Sequence, residues 1–397
     1  MSATVSHAAP NPEAANLAAR AMILKYAKRS RQGLVTTTFT PNGSNNTLQF
    51  PIRNVGLPTG FLIHLTGSIN NTSATNALTA TPFGIANVLG NVQFQDYSNY
   101  QRINTWGWHL HQVATRKHRW PLGLCHGIQV PSGSSQMGFG DNYSLIDMPS
   151  TIAVSSSGNF EMWYHVPLTK SFDDLTGMID ALQLQNQATL SLTLNQNPVV
   201  ASGTDSVLAM YSGTSPSWTW GAVTVEVYQD YFDQLPTDPK TGNYIIPQLD
   251  VNTLYELKSS SYTGLVSGQN FPILIPNFRE FLSMFAVLDN GGSLYAGTDI
   301  NFIQLLTANL LPIRQVSPRA KAYEQRHAVG TDLPLGTWSF DFSANPIDTT
   351  VFGNMSASFN LGGTQGIGAN SVFLVGWEDV GVGAIMMAGG SFNGAAA

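Results

Sequence analysis

The sequence predicts an all-β protein made of two similar halves in tandem, and three observations carry that prediction. The chain has 397 residues, too many for one ordinary β-domain and enough for two hydrophobic cores. Period-two alternation, the mark of a half-buried strand, recurs along it. Val223, Val225 and Val227 alternate with Thr224 and Glu226, Leu190, Leu192 and Leu194 with Thr189, Ser191 and Thr193, and Trp338, Phe340 and Phe342 with Ser339 and Asp341. Between these strand-rich stretches, residues 226–257 read as a join. Pro236 cannot donate to a ladder and stops the strand, and Pro239 and Gly242 supply turn chemistry. Asp250 then stands where a helix N-cap would, ahead of Val251, Leu254, Tyr255 and Leu257 at helical spacing.

Taken in order, residues 1–10 are small and polar, and we expect them to be adaptable. Asn11-Pro12-Glu13 is a helix start: an Asn N-cap, Pro at the first helical position and an acid in the first turn. The predicted helix runs through Leu17, Ala21 and Leu24, with Arg20, Lys25, Lys28 and Arg29 near its end. Such a segment suits two roles, a surface-lying arm that meets anionic lipid or nucleic acid, or a helix whose cations complement its own dipole. Strands are expected at 34–40, 47–51, 61–67, 160–166 and 188–195, and after the join at 273–276, 283–288, 338–342, 357–361 and 371–377. The Gly/Ala-rich tail from residue 381 is expected to be extended or ordered only by a neighbour. A faint internal echo accompanies the duplication. Residues 92–111 and 285–306 each read as strand, Asp-headed turn and a hydrophobic segment that suits a short helix.

Composition narrows the function. Only 11% of residues are charged, and residues 54–95 and 349–377 contain no Asp, Glu, Lys or Arg. Soluble domains average about 25% charge, so this surface is made of uncharged polar groups. A subunit that hides much of its surface against neighbours fits, as does an extracellular β-rich binding protein. The single Cys125 excludes an intrachain disulfide framework and suits assembly in a reducing cytosol. Neither a signal-peptide pattern nor an apolar run approaching ~20 residues is present in the sequence. Residues 1–31 carry Arg20, Lys25, Lys28, Arg29 and Arg31 against Glu13, a charge of +4 within a net −6, which leaves −10 on the rest.

Few constellations suggest chemistry. His109 and His111 would share a face on a strand, and so could share a metal, but would point ~200° apart on a helix. Residues 116–120 form a short basic cluster that fits a solvated loop or an intersubunit contact better than a phosphate groove. Asp173-Asp174 and Glu378-Asp379 read as adjacent acids on loops, without the opposed geometry of paired catalytic carboxylates. Residues 362–368 are Gly-rich between strands and lack the strand and helix context of a phosphate-binding loop. The expectation is a non-enzyme with no catalytic residues, no metal and no cofactor.

Several stretches carry a resemblance. Tyr228-Gln-Asp-Tyr-Phe-Asp-Gln-Leu-Pro236, Asn243-Tyr-Ile-Ile-Pro247 and Leu254-Tyr-Glu-Leu257 do so at the join. Gly107-Trp-His-Leu-His111, Ile146-Asp-Met-Pro-Ser-Thr-Ile-Ala153 and Asp173-Asp-Leu-Thr-Gly177 precede it. Residues 286–301, from Ala286-Val-Leu-Asp-Asn-Gly-Gly to Thr298-Asp-Ile-Asn301, follow it, and then Thr307-Ala-Asn309. Together they resemble the major capsid proteins of tectiviruses, icosahedral phages with a membrane beneath the shell.

The resemblance implies two tandem eight-stranded jelly rolls with a short N-terminal helix and a few further short helices. It divides the chain into a basic arm at 1–32, a first jelly roll at 33–236, a linker at 237–247, a second jelly roll at 248–384 and a tail at 385–397. It implies a homotrimeric pseudo-hexagonal tile in the virion capsid, made in the host cytoplasm, with trimer-to-trimer lattice contacts. Minor capsid proteins (penton, cement or membrane proteins) are the other implied partners, with no sequence-specific nucleic acid. Arg20, Lys25, Lys28, Arg29 and Arg31 are the implied membrane-facing residues. The alternative is a β-sandwich receptor- or carbohydrate-binding phage protein, in which exposed Trp would line a sugar platform.

Overall fold

The computed structural model describes residues 11–42, 46–118, 148–182, 187–203, 207–277, 279–290, 293–294, 300–307, 312–329, 336–349, 355–362 and 371–382. Expectations for residues 1–10, for Arg119, Trp120, Cys125 and His126, for the glycines of 363–368 and for the tail beyond 382 lie outside the described residues.

The first half opens with α1 (Pro12–Tyr26), β1 (Lys28–Phe39), β2 (Thr47–Pro51), β3 (Leu57–Asn71) and β4 (Leu78–Ala80). It continues with β5 (Leu89–Gln95), β6 (Gln101–Thr105), α2 (Gly107–His118), β7 (Thr151–Ile152) and β8 (Ser157–Pro167). β9 (Thr189–Leu194), β10 (Val199–Ala201), β11 (Tyr211–Gly213) and β12 (Trp218–Asp233) complete it. After the short helix α3 (Gln248–Asn252) come β13 (Thr253–Tyr262), β14 (Asn270–Ile275), β15 (Arg279–Asn290), β16 (Ser293–Leu294) and β17 (Ile300–Leu306). β18 (Pro312–Val316), α4 (Pro318–Val329), β19 (Thr337–Asp341), β20 (Ile347–Asp348), β21 (Met355–Leu361) and β22 (Ser371–Val382) end the chain's described part.

Two sheets of the first half, β1-β12-β3-β8 and β2-β9-β5-β6, enclose one core. The second half repeats that order with β13-β22-β15-β19 and β14-β21-β17-β18 around a second core. In each half the first strand pairs with the last, the last with the third, and the third with a strand that follows the helix, β8 in the first half and β19 in the second. That is the jelly-roll order, found twice. β6 then pairs in parallel with β13, through Leu257 opposite Ile103 and Lys258 opposite Asn104, so one sheet runs continuously through both barrels.

Strand content follows the alternation in the sequence. β9 buries Leu190, Leu192 and Leu194 and turns Thr189, Ser191 and Thr193 toward the surface. β12 buries Val223, Val225 and Val227 in the same rhythm. The linker is a tight hairpin closed by Asp238 N–H to Asn243 O at 2.8 Å, with Gly242 at φ +73°.

Three expectations need correction. Leu254, Tyr255 and Leu257 lie on β13, because the helix spans only Gln248–Asn252 and its N-cap is Pro247. In the second member of the echo, residues 300–306 form β17 and not a helix. The true counterpart of β5, β6 and α2 is β17, β18 and α4: an antiparallel hairpin followed by a helix. Lastly, β1 begins at Lys28, so Lys28, Arg29 and Arg31 are on a strand paired with Asp233, Phe232 and Asp230 and not on a helix.

Candidate functional site

The strand ends from which the arm, the linker and the last strand emerge share one end of the molecule. There α1 docks through Ile23, which is fully buried against Leu57, Leu175, Met178, Phe232 and Leu235. Asn11 caps α1 as its sequence predicts, its side-chain oxygen accepting the Glu13 N–H at 3.0 Å. The buried stripe differs from the expected one. Asn16 and Ile23 are buried, whereas Leu17 is 58% exposed. Asp250 sets that rotation: it accepts from Asn16 Nδ2 at 2.9 Å and from Arg20 Nε at 2.7 Å.

The five cations implied to face lipid do not share one environment. Arg20 is turned inward, bound to Asp250 and, at 2.9 Å, to Asp174, so its charge is spent on docking the arm. Its pKa is raised, chiefly by the Asp250 hydrogen bond. Arg29 is exposed, donates to Phe172 O at 2.7 Å and lies 5.2 Å over the Phe232 ring. Arg31, with a 53% exposed side chain, makes a bidentate pair with Asp230 at 2.6 and 2.9 Å. Lys25 and Lys28 are exposed, and neither has a carboxylate within salt-bridge distance among the described residues. Tyr26 (56% exposed) and Phe172 (59%) stand beside them.

Between the barrels, α2 lies against the outer face of the second barrel. His109 meets the Phe285 ring at 6.1 Å, and its own ring leaves no room for a side chain at Gly376. His109 and His111 sit on this helix, so they diverge and do not converge on an ion. Burial pushes His109 down to about 3, and its Nδ1 lies 2.7 Å from the Thr105 hydroxyl. Among the described residues no three His, Cys, Asp or Glu side chains come together as a metal site.

Arg116 and Lys117, expected in a solvated loop or an intersubunit contact, are instead in the seam. Both pair with Glu378, Lys117 at 3.1 Å, and Glu378 also accepts from Tyr255 Oη at 2.6 Å and Ser283 Oγ at 2.9 Å. Burial alone would raise the Glu378 pKa, but the Arg116 and Lys117 charges and the Tyr255 hydroxyl hold it at about 2. Burial lowers Lys117 to about 8, against the pull of Glu378. Glu378 and Asp379 are thus buried on β22, not on a loop. Sequence reasoning missed this cluster, although its signal exists: the acid pair directly follows a stretch of β-rich sequence without a single charge.

A cleft of about 1340 Å³ opens between the barrels beside the seam. Of its cations, Arg20, Arg31, Arg116, Lys117 and Lys170 are each matched by a carboxylate, whereas Arg29 is held by the Phe172 carbonyl and the Phe232 ring. Among the described residues no helix is long and apolar enough to cross a membrane.

Two jelly rolls in one chain, joined by a continuous sheet and a charged seam, define the double jelly-roll class of viral shell proteins. Comparison with known proteins narrows the class. The family described as P3 major capsid protein N-terminal matches residues 10–235, and P3 major capsid protein C-terminal matches residues 252–393. The major capsid protein P3 of Enterobacteria phage PRD1 is 35% identical over 368 residues, 92% of this chain and 90% of that protein. The chain belongs to the P3 major capsid protein family and is a structural protein of the virion capsid. Among solved structures, the crystal structure of the STIV MCP matches with a TM-score of 0.60 at 13% identity, covering 89% of this chain and 97% of that one. The atomic structure of Sulfolobus Turreted Icosahedral Virus also matches at a TM-score of 0.60 and 13% identity, over 89% and 91% of the two chains. These two show a shared fold.

Proposed function

We propose that three copies of the chain form a pseudo-hexagonal tile and that the end carrying α1 faces an internal membrane. The repeated barrel is the observation that carries the tile: two like barrels per chain give six around a threefold axis, and cyclic trimers are a common closed assembly. The role is geometric and needs no catalysis. On this reading 33–236 and 248–384 are the two wall units, 237–247 joins them, 1–32 is the membrane-side arm and 385–397 reaches a neighbour. Minor capsid proteins would meet the tile at its rims.

Lys25, Lys28, Arg29 and Arg31 are the lipid-facing cations in this reading, with Leu17, Tyr26 and Phe172 supplying exposed apolar contact; Arg20 anchors the arm from behind. A cation near an anionic leaflet contributes about 1 kcal/mol, so reversing Lys25, Lys28 and Arg29 together should weaken binding at least about a hundredfold. Co-sedimentation with vesicles containing phosphatidylglycerol, compared with neutral vesicles, reads this out. Equal binding of wild-type protein and the triple variant would remove the membrane-facing assignment.

A further inference from the structure

We propose that the outer face of β1-β12-β3-β8 is a docking site for helix α4 of a second copy, so that the seam inside one chain recurs between chains. This rests on the trimer reading and specifies which surfaces make it.

Within the chain, the matching face of the second barrel is fully covered. Tyr255, Leu257, Ser283, Phe285, Leu374 and Glu378 are each no more than 1% exposed. Their cover includes α2, which brings His109 onto Phe285 and Arg116 and Lys117 onto Glu378. The first barrel's face has no such cover among the described residues. Thr36 and Thr38, which share the face of Glu226 and Thr224, are exposed, and the Glu161 and Glu226 side chains are 37% and 31% exposed.

The absent cover has a counterpart. α2 and α4 are both 12 residues long and both follow a hairpin. Laid residue on residue, the buried Leu110 and Ala114 of α2 coincide with the buried Lys321 and Gln325 of α4. The α2 stripe that meets the second barrel, His109 and Arg116 with Gln112 between them, then falls on Ala320, Tyr323 and His327. His109 and Gln112 are 0% and 1% exposed, whereas Tyr323 is 73% exposed. One stripe is covered and its equivalent is bare.

Charge and shape agree. Arg319 and Arg326 flank Tyr323 on the exposed side of α4. The facing sheet carries Glu161 and Glu226, held by the two ring nitrogens of His64 at 2.9 Å each. Glu226 accepts from Tyr228 Oη at 3.2 Å, as Glu378 accepts from Tyr255 in the internal seam. His64 stacks on Trp163 at 4.1 Å, a flat floor on which an aromatic side chain can lie. A carboxylate on the central strand, steadied by a tyrosine and met by helix cations, is the design already realised inside the chain. Repeating one barrel-to-barrel step through three chains closes a ring of six.

The test uses full-length protein in a Cys125→Ala background. Light scattering should give the wild-type chain the mass of three copies. Glu226→Cys and Tyr323→Cys in one chain should be linked by a short bismaleimide into covalent dimers and trimers on a denaturing gel, and neither single variant should be. Tyr323→Asp should shift the native mass toward one copy while circular dichroism is unchanged. A wild-type trimer whose double variant gives no cross-link, or whose Tyr323→Asp variant keeps the full trimer, overturns this assignment of faces and leaves the trimer standing. A wild-type monomer overturns the trimer reading itself, and the docking site with it.

Discussion

Glu378 lies where the two barrels meet, with no exposed side-chain surface, and its ionised form is what Arg116, Lys117, Tyr255 and Ser283 are arranged to hold. Its pKa near 2 is below the ordinary 4.5, so its contribution to stability is complete above pH 4.5 and is lost as pH falls toward 2. Asp379 acts in the opposite sense. Burial raises it to about 6 despite Arg279 at 3.2 Å, so the stability it gives when protonated is present below 3.8 and lost as pH rises through 6. Urea denaturation across this range should show an acid-side fall in wild-type stability that Glu378→Gln largely lacks. At neutral pH the same variant leaves two buried cations facing an amide and should lose about 3 kcal/mol. An acid limb identical in the two proteins would mean that another carboxylate governs it.

Among the elements, α1 separates what a local signal can specify from what it cannot. Its start was legible because a cap is a local device: Asn11, Pro12 and Glu13 act within one turn. Asn11→Ala should therefore fray the arm by about 1 kcal/mol, seen as faster amide exchange over residues 13–16 with barrel amides unchanged. Its buried face was not legible, because Asp250, which fixes Asn16 and Arg20, is 234 residues from Asn16 in sequence. β13 failed for a related reason. Leu254, Tyr255, Glu256 and Leu257 are all buried, since one side of the strand faces its own barrel and the other faces the seam. Burial on both sides erases the period of two and leaves a spacing that also suits a helix. Strands with one wet face kept their rhythm, and β2 spans the 47–51 read from sequence. In the candidate site the cations of the arm could be read as a charge imbalance, but Arg116, Lys117 and Glu378 are brought together only by the packing of one barrel on the other.

For the whole molecule, that packing determines whether two barrels behave as one rigid unit. Gly376 is the position that admits α2: a side chain there would enter the ring of His109, which is itself held by Thr105 at 2.7 Å and by Trp108 and Phe285 beside it. The imidazole cannot swing away without losing those contacts, so the strain must be relieved by moving the helix off the sheet. Overpacking of this kind costs about 1–3 kcal/mol. The second barrel has a separate core of its own, whereas the first barrel's core runs on into the seam through Tyr255, Leu257, Phe285 and Leu374, so the loss falls on the seam and leaves the second core intact. Scanning calorimetry of Gly376→Val should accordingly resolve two transitions, or one broadened and lowered transition, where the wild-type chain gives a single cooperative one. The β6–β13 pairing, only two residue pairs long, is too short to hold the barrels together by itself. A variant that melts in one transition at the wild-type temperature would show that the barrels are coupled by the remaining seam contacts without need of the His109 fit.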